Sequence, residues 1–267
     1  MQNVCFYHHG LEYKLLWVEK RFQNPVIYDK FGHRLLQYIH FTQSPDFPDS
    51  IFNNKDGLRC SSFRIKHLVP HAQKKISLSL VKQQYVNQIV VNSDFKKSTF
   101  NVIEALPKMA NIWYDIFTQL NEKNPRHEPI LQKIIELHPQ ALASEVPVWT
   151  TDLNSIQNRT IKPSPYNCMA DKQFTGHIDL ILYDPEDHSL IVADYKPEDH
   201  FLSSLPQVAT YGLIMKQVLG CSNIKCVSFS RERAWVYDPE IIRTVVIEYI
   251  KSYGDPSLEW RDIVYSL

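Results

Sequence analysis

Two carboxylates and a lysine in a predicted β-hairpin are the residues of this sequence best suited to chemistry. Asp194 and Lys196 end an apolar run, and strand alternation places both on one face. Asp179 lies in the preceding run, so the hairpin returns it to the neighbourhood of Asp194. Clustered carboxylates repel each other, and a divalent cation relieves that repulsion. Lys196 would then orient or deprotonate a water molecule, or offset charge on a phosphorane; a surface ion pair is the alternative.

Three further polar residues lie on predicted elements nearby in the sequence. Glu145 is flanked by apolar residues in a strand-like run, where it is either a sheet-edge charge or a third metal ligand. Gln207 and Tyr211 are four residues apart and therefore share one helical face. Both offer hydrogen bonds, and a tyrosine can also stack on a base. A half-buried structural contact is the alternative for this pair.

The combined pattern is Glu145…Gly176-His-Ile-Asp179…Asp194-Tyr-Lys196…Gln207-x-x-x-Tyr211. It resembles the PD-(D/E)XK nuclease superfamily and, within it, the RecB-like branch, over roughly Phe100 to Tyr237. The resemblance implies a restriction-endonuclease-like core, in which helices flank a mixed central sheet. It implies that Mg²⁺ or Mn²⁺ is held by Glu145, Asp179, Asp194 and the backbone carbonyl of Tyr195. It also implies that Lys196 positions the attacking water, while Gln207 and Tyr211 brace the site or contact DNA.

Two histidines and the cysteines bear on how far this resemblance extends. The RecB-like branch often has a metal-shell histidine on its leading helix, and His127 is the candidate here, with a helix cap as the alternative. His177 either contacts metal or phosphate or is a neutral strand histidine packed against the leading helix. Some members of the branch hold an iron–sulfur cluster through one upstream and three closely spaced downstream cysteines. Cys221 and Cys226 do not fit that spacing, so no cluster is predicted.

Apolar periodicity predicts an α/β core after about residue 98. Helical spacing from Val102 to Leu120 predicts an amphipathic helix. Another helix, beginning at Ser203 or Ser204 with Pro206 in its first turn, should end at Gly220. The remaining predicted elements, in chain order, are a helix at about Glu128–Leu137, strands Ala143–Trp149, Thr175–Tyr183, Ser189–Tyr195, Lys225–Ser230 and Ala234–Tyr237, and a final helix Ile241–Tyr253. This order predicts a mixed sheet.

The sequence predicts two regions. Residues 1–97 form a β-rich, basic N-terminal region, and residues 98–267 form a nuclease core. Strands are predicted at Glu12–Val18 and Arg34–Phe41, with turn chemistry at Asp29–Gly32, a loop at Asp46–Asn54, and extended segments at Leu58–Val69 and Lys75–Val91. Residues 1–100 hold 14 Lys/Arg and 7 Asp/Glu, and residues 101–267 hold 15 and 22. The predicted nucleic-acid contacts are Arg59, Arg64, Lys66, Lys74, Lys75, Arg231 and Arg233. Ordinary surface composition, and a solvated turn at Ser230–Arg233, are the alternatives.

Composition favours an intracellular protein, cytoplasmic or nucleoid-associated and soluble. No apolar run approaches the roughly 18 residues that span a bilayer, and no signal-peptide pattern opens the chain. The five cysteines are odd in number and widely spaced, which argues against disulfides and zinc. Phosphate-cradling, Gly-x-Ser-x-Gly and His-Glu-x-x-His patterns are absent from the sequence.

The predicted function is therefore a Mg²⁺- or Mn²⁺-dependent deoxyribonuclease, with single- or double-stranded DNA as its partner and no membrane association. Exonuclease or single-strand-preferring activity follows from the RecB-like resemblance. Two alternatives remain open. One is a structure- or sequence-specific endonuclease with the same core, and the other is a non-catalytic nucleic-acid-binding protein that keeps the fold.

Overall fold

One mixed β-sheet forms the centre of the protein, as seen in a computed structural model. The structure describes residues 1–55, 57–62, 83–84, 90–91, 97–120, 125–150, 174–197 and 204–240. Its strands within these residues are β1 Gln2–His8, β2 Leu11–Trp17, β3 Leu58–Arg59, β4 Gln83–Gln84, β5 Val90–Val91, β6 Ala141–Thr150, β7 Phe174–Tyr183, β8 Leu190–Tyr195, β9 Ile224–Phe229 and β10 Ala234–Tyr237. The strand order is β1-β2-β6-β7-β8-β9-β10-β5-β4, and β3 pairs with the start of β7. The pairs β8/β9, β10/β5 and β3/β7 are parallel and the other pairs are antiparallel.

Helices cover both faces of this sheet. They are α1 Glu19–Phe22, α2 Pro25–Ile27, α3 His33–Phe41, α4 Asp49–Phe52, α5 Lys97–Gln119, α6 His127–Leu137 and α7 Leu205–Leu219, with a π-helical turn at Tyr28–Gly32 and a 3₁₀ turn at Cys60–Ser62. Helices α5 and α6 bury residues such as Leu106 and Ile134 against one face of the sheet. Helices α3 and α7 bury residues such as Leu35 and Ile214 against the other. The α/β class predicted from periodicity is confirmed.

The N-terminal region differs from the β-rich prediction. The strand predicted at Glu12–Val18 is confirmed as β2. The strand predicted at Arg34–Phe41 is wrong, because this segment is helix α3, whose buried Leu35 and Ile39 have helical spacing. The predicted turn at Asp29–Gly32 is instead part of the π-helical turn, and the predicted loop at Asp46–Asn54 contains α4.

The later elements agree more closely with the predictions. The predicted long helix, the second helix, the hairpin and the last two strands are present as α5, α6, β7–β8, β9 and β10. Helix α7 ends at Gly220, whose φ of +58° is the left-handed geometry that glycine adopts without a steric penalty. Ser204 is the N-cap residue, but its hydroxyl does not make the predicted capping hydrogen bond. The predicted helix Ile241–Tyr253 and most of the extended segments before residue 92 lie outside the described residues.

Residues near the N-terminus are joined to the rest of the sheet. Strand β2 pairs with β6 through Leu16–Ser144 and Trp17–Ala143. The Arg21 guanidinium donates to the carbonyl of Ile135 at 2.8 Å and to that of Glu136 at 3.2 Å, at the end of α6. Arg34 likewise donates to the Leu219 carbonyl at the end of α7. These arginines satisfy carbonyls that a helix terminus leaves without an internal partner.

None of the described helices has both the length and the apolarity needed to cross a membrane.

Candidate metal centre

Strands β7 and β8 separate at the residues predicted to do chemistry. Their backbone pairing runs from Tyr183–Leu190 to Leu180–Ala193. Beyond this point the Tyr195 N–H donates a 2.7 Å hydrogen bond to Oδ2 of Asp179. Lys196 N–H donates to the Phe229 carbonyl at 2.7 Å, which holds the end of β8 on β9. The hairpin therefore brings Asp179 beside the Asp194–Lys196 segment, as the sequence predicted.

Glu145 faces this point from the neighbouring strand. Ser144 pairs with Leu180 and Val146 with Ile178, so Glu145 lies opposite Asp179. Its φ is +52°, a left-handed conformation that is rare for a residue with a side chain. Such a conformation costs of order 1–3 kcal/mol and persists only when its surroundings hold it. Here the strand pairs on either side continue in register and hold the carboxylate among polar groups in a buried position, 7% exposed.

His177 joins these two carboxylates. The ligand atoms of Glu145, His177 and Asp179 all lie within 4.8 Å of one another, and this group could hold a metal ion. His177 Nδ1 is 2.7 Å from Glu145 Oε2. The ring of His177 packs against Tyr13 of β2, with 4.0 Å between ring centroids. The N-terminal hairpin, and not the leading helix suggested by the sequence, supplies this packing.

The electrostatics of the group favour a bound cation. Burial raises the pKa of Asp179 well above its usual range, and Asp194 raises it further. Lys196 and the Tyr195 N–H act in the opposite direction, while Glu145 adds to the increase. In the described part of the chain, Glu145 Oε2, His177 Nδ1 and both carboxylate oxygens of Asp194 are buried without a hydrogen bond of acceptable geometry. Carboxylates brought together in a buried position repel one another, and a divalent cation relieves that repulsion.

Asp194 and Lys196 form an ion pair next to this group. Lys196 Nζ is 2.6 Å from Asp194 Oδ2, and Asp194 is 1% exposed. Among the described residues, the group of three whose ligand atoms lie within 4.8 Å of one another does not include Asp194. The structure thus brings Glu145 and Asp179 together with His177, and places Asp194 at the edge. The Tyr195 carbonyl belongs to the same segment, and its role as a ligand stays a prediction.

His127 lies at the start of α6, beside the carboxylates. Its Nδ1 is 3.8 Å from Asp179 Oδ2, and Arg126, not His127, is the N-cap residue. Burial lowers the pKa of His127, and the charge of Lys196 lowers it further. A neutral imidazole is the form that binds a metal. His127 is nevertheless outside the group of three defined by Glu145, His177 and Asp179 among the described residues.

Gln207 and Tyr211 lie on α7, where Tyr211 packs against Gly176 of β7. Gln207 Nε2 donates to the Tyr211 hydroxyl at 2.9 Å. Both are buried, Tyr211 to 1% exposure, so the tyrosine ring has no open face on which a base can stack. A Cβ added at Gly176 would lie 2.5 Å from Tyr211 Cε1. The glycine therefore lets β7 approach the tyrosine closely.

A cavity of about 440 Å³ opens onto the carboxylates and His177. Its other walls are Leu11–Lys14 of β2 and Arg126–Glu128 at the start of α6. Of the residues predicted to contact nucleic acid, Arg59 is next to His177, with its Nη2 3.5 Å from Nε2. Arg231 lies over the Tyr114 ring at 3.9 Å, and Arg233 is in the turn stabilised by the Ser230 hydroxyl. The others, Arg64, Lys66, Lys74 and Lys75, lie outside the described residues.

The sequence pattern identified most of these residues but not the grouping around His177. The contact of His177 with Tyr13 joins positions far apart in the chain. The pairing of β2 with β6 that brings the two residues together is not signalled by the sequence around either one.

The comparison of the chain with protein-family models finds no match, and the comparison with curated proteins also finds none.

Proposed function

We propose that this chain is a metal-dependent deoxyribonuclease of the PD-(D/E)XK superfamily, most similar to its RecB-like branch, with a restriction-endonuclease-like core. The observation that carries the proposal is the convergence of Asp179, Asp194 and Lys196 where β7 and β8 separate, with Glu145 opposite. Carboxylates and an ammonium in such a position are suited to phosphodiester hydrolysis. Exonuclease or single-strand-preferring activity is the specific form proposed.

Glu145, Asp179 and the flanking Asp194 would hold Mg²⁺ or Mn²⁺. The carboxylates fit such an ion, because a cation would offset their mutual repulsion and would supply a partner to Asp194 Oδ1, which has no hydrogen bond within the described residues. When bound, the ion supplies Lewis-acid stabilisation of phosphoryl oxygens and lowers the pKa of water. These are hard oxygen ligands, as both ions require.

Lys196 and Asp194 have complementary roles in this proposal. The ion pair at 2.6 Å fixes the ammonium, which in its charged form orients the attacking water and offsets negative charge developing on phosphorus. The water gives up a proton to solvent as its oxygen forms a bond to phosphorus, the bond from phosphorus to the departing sugar oxygen breaks, and that oxygen takes up a proton from solvent. Gln207 and Tyr211, which are buried beneath the strands, keep this geometry rigid and do not touch the DNA.

The cavity supports access by a nucleotide. Its volume of about 440 Å³ is within the range of small-molecule sites, and Lys14 and Arg126 on its walls are suited to phosphate. Arg59 approaches the same region from β3. Glu12 and Glu128 also line the cavity, so these cations would meet the phosphate backbone beside carboxylates whose charge a bound metal ion would offset.

The test is cleavage of end-labelled single-stranded, blunt double-stranded and circular DNA with Mg²⁺ or Mn²⁺. Lys196→Ala and Asp194→Asn are expected to lose activity at least about 100-fold, since each removes a group that stabilises the transition state. Lys108→Ala is the matched control, because Lys108 forms an exposed ion pair with Glu104 at the same 2.6 Å. Wild-type cleavage of linear DNA alone would support an exonuclease, and cleavage of circles an endonuclease. Undiminished cutting by both site variants, or no cleavage by wild type, would overturn the proposal.

A further inference from the structure

We infer that His177 is a ligand of the metal centre and that its imidazole makes this centre prefer Mn²⁺ to Mg²⁺. The inference deepens the proposed function, on which it rests for the role of the ion but not for its binding. It adds a nitrogen ligand to the oxygen ligands Glu145 and Asp179.

The His177 imidazole and the Glu145 carboxylate are in close contact. Nδ1 and Oε2 are 2.7 Å apart, the separation of a strong polar contact. Yet both atoms are buried without a hydrogen bond of acceptable geometry in the described part of the chain. An N–H on Nδ1 therefore does not point along the line between them. An imidazole nitrogen and a carboxylate oxygen held this close, with the Asp179 carboxylate within 4.8 Å, can share a cation when the imidazole proton is on Nε2.

The imidazole of His177 is held in place before any ion binds. Tyr13 packs on the ring at 4.0 Å between centroids, and His8 meets it edge-on at 5.8 Å. Arg59 Nη2 is 3.5 Å from Nε2, at the outer limit of a hydrogen bond, and makes a shorter one to the Tyr13 hydroxyl at 3.2 Å. Packing, more than hydrogen bonding, thus fixes the ring. A ligand fixed in this way loses little freedom on binding.

The proposed ligands combine one imidazole nitrogen with carboxylate oxygens. Mg²⁺ is a hard ion that takes oxygen ligands and retains several waters. Imidazole nitrogen suits first-row transition metals, and Mn²⁺ also accepts carboxylate oxygen. A site formed by two carboxylates and one imidazole therefore discriminates against Mg²⁺. Glu145 and Asp179 alone would not discriminate against Mg²⁺.

The experiment measures Mn²⁺ binding by the loss of the free-ion EPR signal, followed by competition with Mg²⁺. Pulsed EPR of bound Mn²⁺ then reports ¹⁴N coupling from a coordinated imidazole. His177→Gln keeps a polar oxygen but removes the nitrogen, and His138→Gln is the matched control, because it removes a buried histidine whose Nε2 is 3.1 Å from the Val102 carbonyl, outside the site. We expect ¹⁴N coupling in wild type and His138→Gln, its loss in His177→Gln, and at least a tenfold fall in the Mn²⁺/Mg²⁺ affinity ratio for His177→Gln alone.

Three results would overturn the inference: no Mn²⁺ binding, no ¹⁴N coupling in wild type, or ¹⁴N coupling that persists in His177→Gln. If His177→Gln does not fold, His127→Gln still decides the matter, because the coupling must survive in that variant and its loss there would overturn the inference. DNA cleavage is measured on the same samples. Coupling that depends on His177 without any cleavage would leave the inference standing while the nuclease proposal fails. DNA cleavage without the ¹⁴N coupling would leave the nuclease proposal standing while the inference about His177 fails.

Discussion

The backbone N–H of Tyr195 donates its hydrogen bond to the Asp179 carboxylate, at the point where β7 and β8 cease to pair. A side chain on one strand thus takes the place of the next backbone acceptor. The bond fixes the orientation of Asp179 but does not neutralise it. The charge of the carboxylate and its protonation therefore depend on the other groups around it.

Metal binding should release a proton from Asp179. Burial, followed by the charge of Asp194, raises the pKa of this carboxyl, which favours its protonated form in the metal-free protein. A cation requires the carboxylate form, and its apparent affinity should increase with pH until the pH exceeds that pKa. Calorimetry in two buffers of different ionisation enthalpy measures the proton count. An affinity that is independent of pH, with no proton released, would contradict this.

Asp179→Asn should stabilise the metal-free protein while abolishing metal binding. Because the folded-state pKa of Asp179 lies above its unfolded value, the contribution of this side chain to the free energy of unfolding is favourable at low pH. That contribution is progressively lost as the pH rises through the folded-state pKa. Asparagine carries no charge and can still accept the Tyr195 N–H. We expect an increase of a few degrees in Tm near pH 7.5, since 1 kcal/mol corresponds to about 2–4 °C at this size.

Asp187→Asn is the control for that experiment and should have the opposite effect. Burial acts to raise the pKa of Asp187, but hydrogen bonds from Lys225 and Ser189 outweigh it and lower the pKa. Its charged form therefore contributes stability above its unfolded pKa, and the amide would lose it. Equal shifts in Tm for the two variants would show that charge burial is not the cause.

Stability should fall in mild acid because of His8. Burial, with smaller contributions from Arg59 and the neighbouring histidines, lowers the pKa of His8 from 6.5 to about 3. The neutral form is the folded one, so its contribution is complete above pH 6.5 and is lost as the pH falls toward 3. At pH 5 the loss is roughly 2 kcal/mol, from about 1.4 kcal/mol per pKa unit.

His8→Gln should reduce that acid sensitivity. The glutamine amide can keep a hydrogen bond to Thr175, which His8 Nε2 contacts at 2.8 Å. Denaturant midpoints at pH 7.5 and pH 5 for wild type and variant measure the difference directly. The same change between the two pH values in both proteins would exclude His8 as the source.

Gly176→Ala should destabilise the fold and disturb the site. The new methyl group would lie 2.5 Å from Tyr211 Cε1 and 2.9 Å from its hydroxyl oxygen, so the ring or β7 must move. Overpacking of this kind costs about 1–3 kcal/mol. In a double-mutant cycle with Tyr211→Ala, the combined loss should be smaller than the sum, because the clash is absent without the ring. Strict additivity would contradict the contact.

Periodicity predicted the core elements well and the N-terminal region poorly. The helix over Lys97–Gln119 has enough residues for its apolar stripe to be read, and the β7–β8 hairpin has β-branched runs around a turn. The segment Arg34–Phe41 has aromatic and β-branched residues typical of strands, but its environment selects a helix that buries Leu35 and Ile39. In so short a segment, tertiary packing outweighs composition.

The candidate site could be predicted only in part. Strand alternation and hairpin geometry placed Asp179 near Asp194 and Lys196, and the structure has this arrangement. The approach of His177 to Glu145 depends on packing from Tyr13, more than 160 positions earlier in the chain. The left-handed φ of Glu145 likewise has no signature in its neighbours in the sequence. Both features arise from contacts across the sheet.

Arg21 and Arg34 have a consequence for dissecting the molecule. Each reaches from the first forty residues to the carbonyls that end a helix of the later sequence, α6 or α7. A fragment beginning at residue 98 would keep the acidic residues but lose both of these contacts, together with the β2 edge. Expressed alone, such a fragment should be prone to fraying and aggregation, so the change in charge near residue 100 is not a safe place to cut the gene.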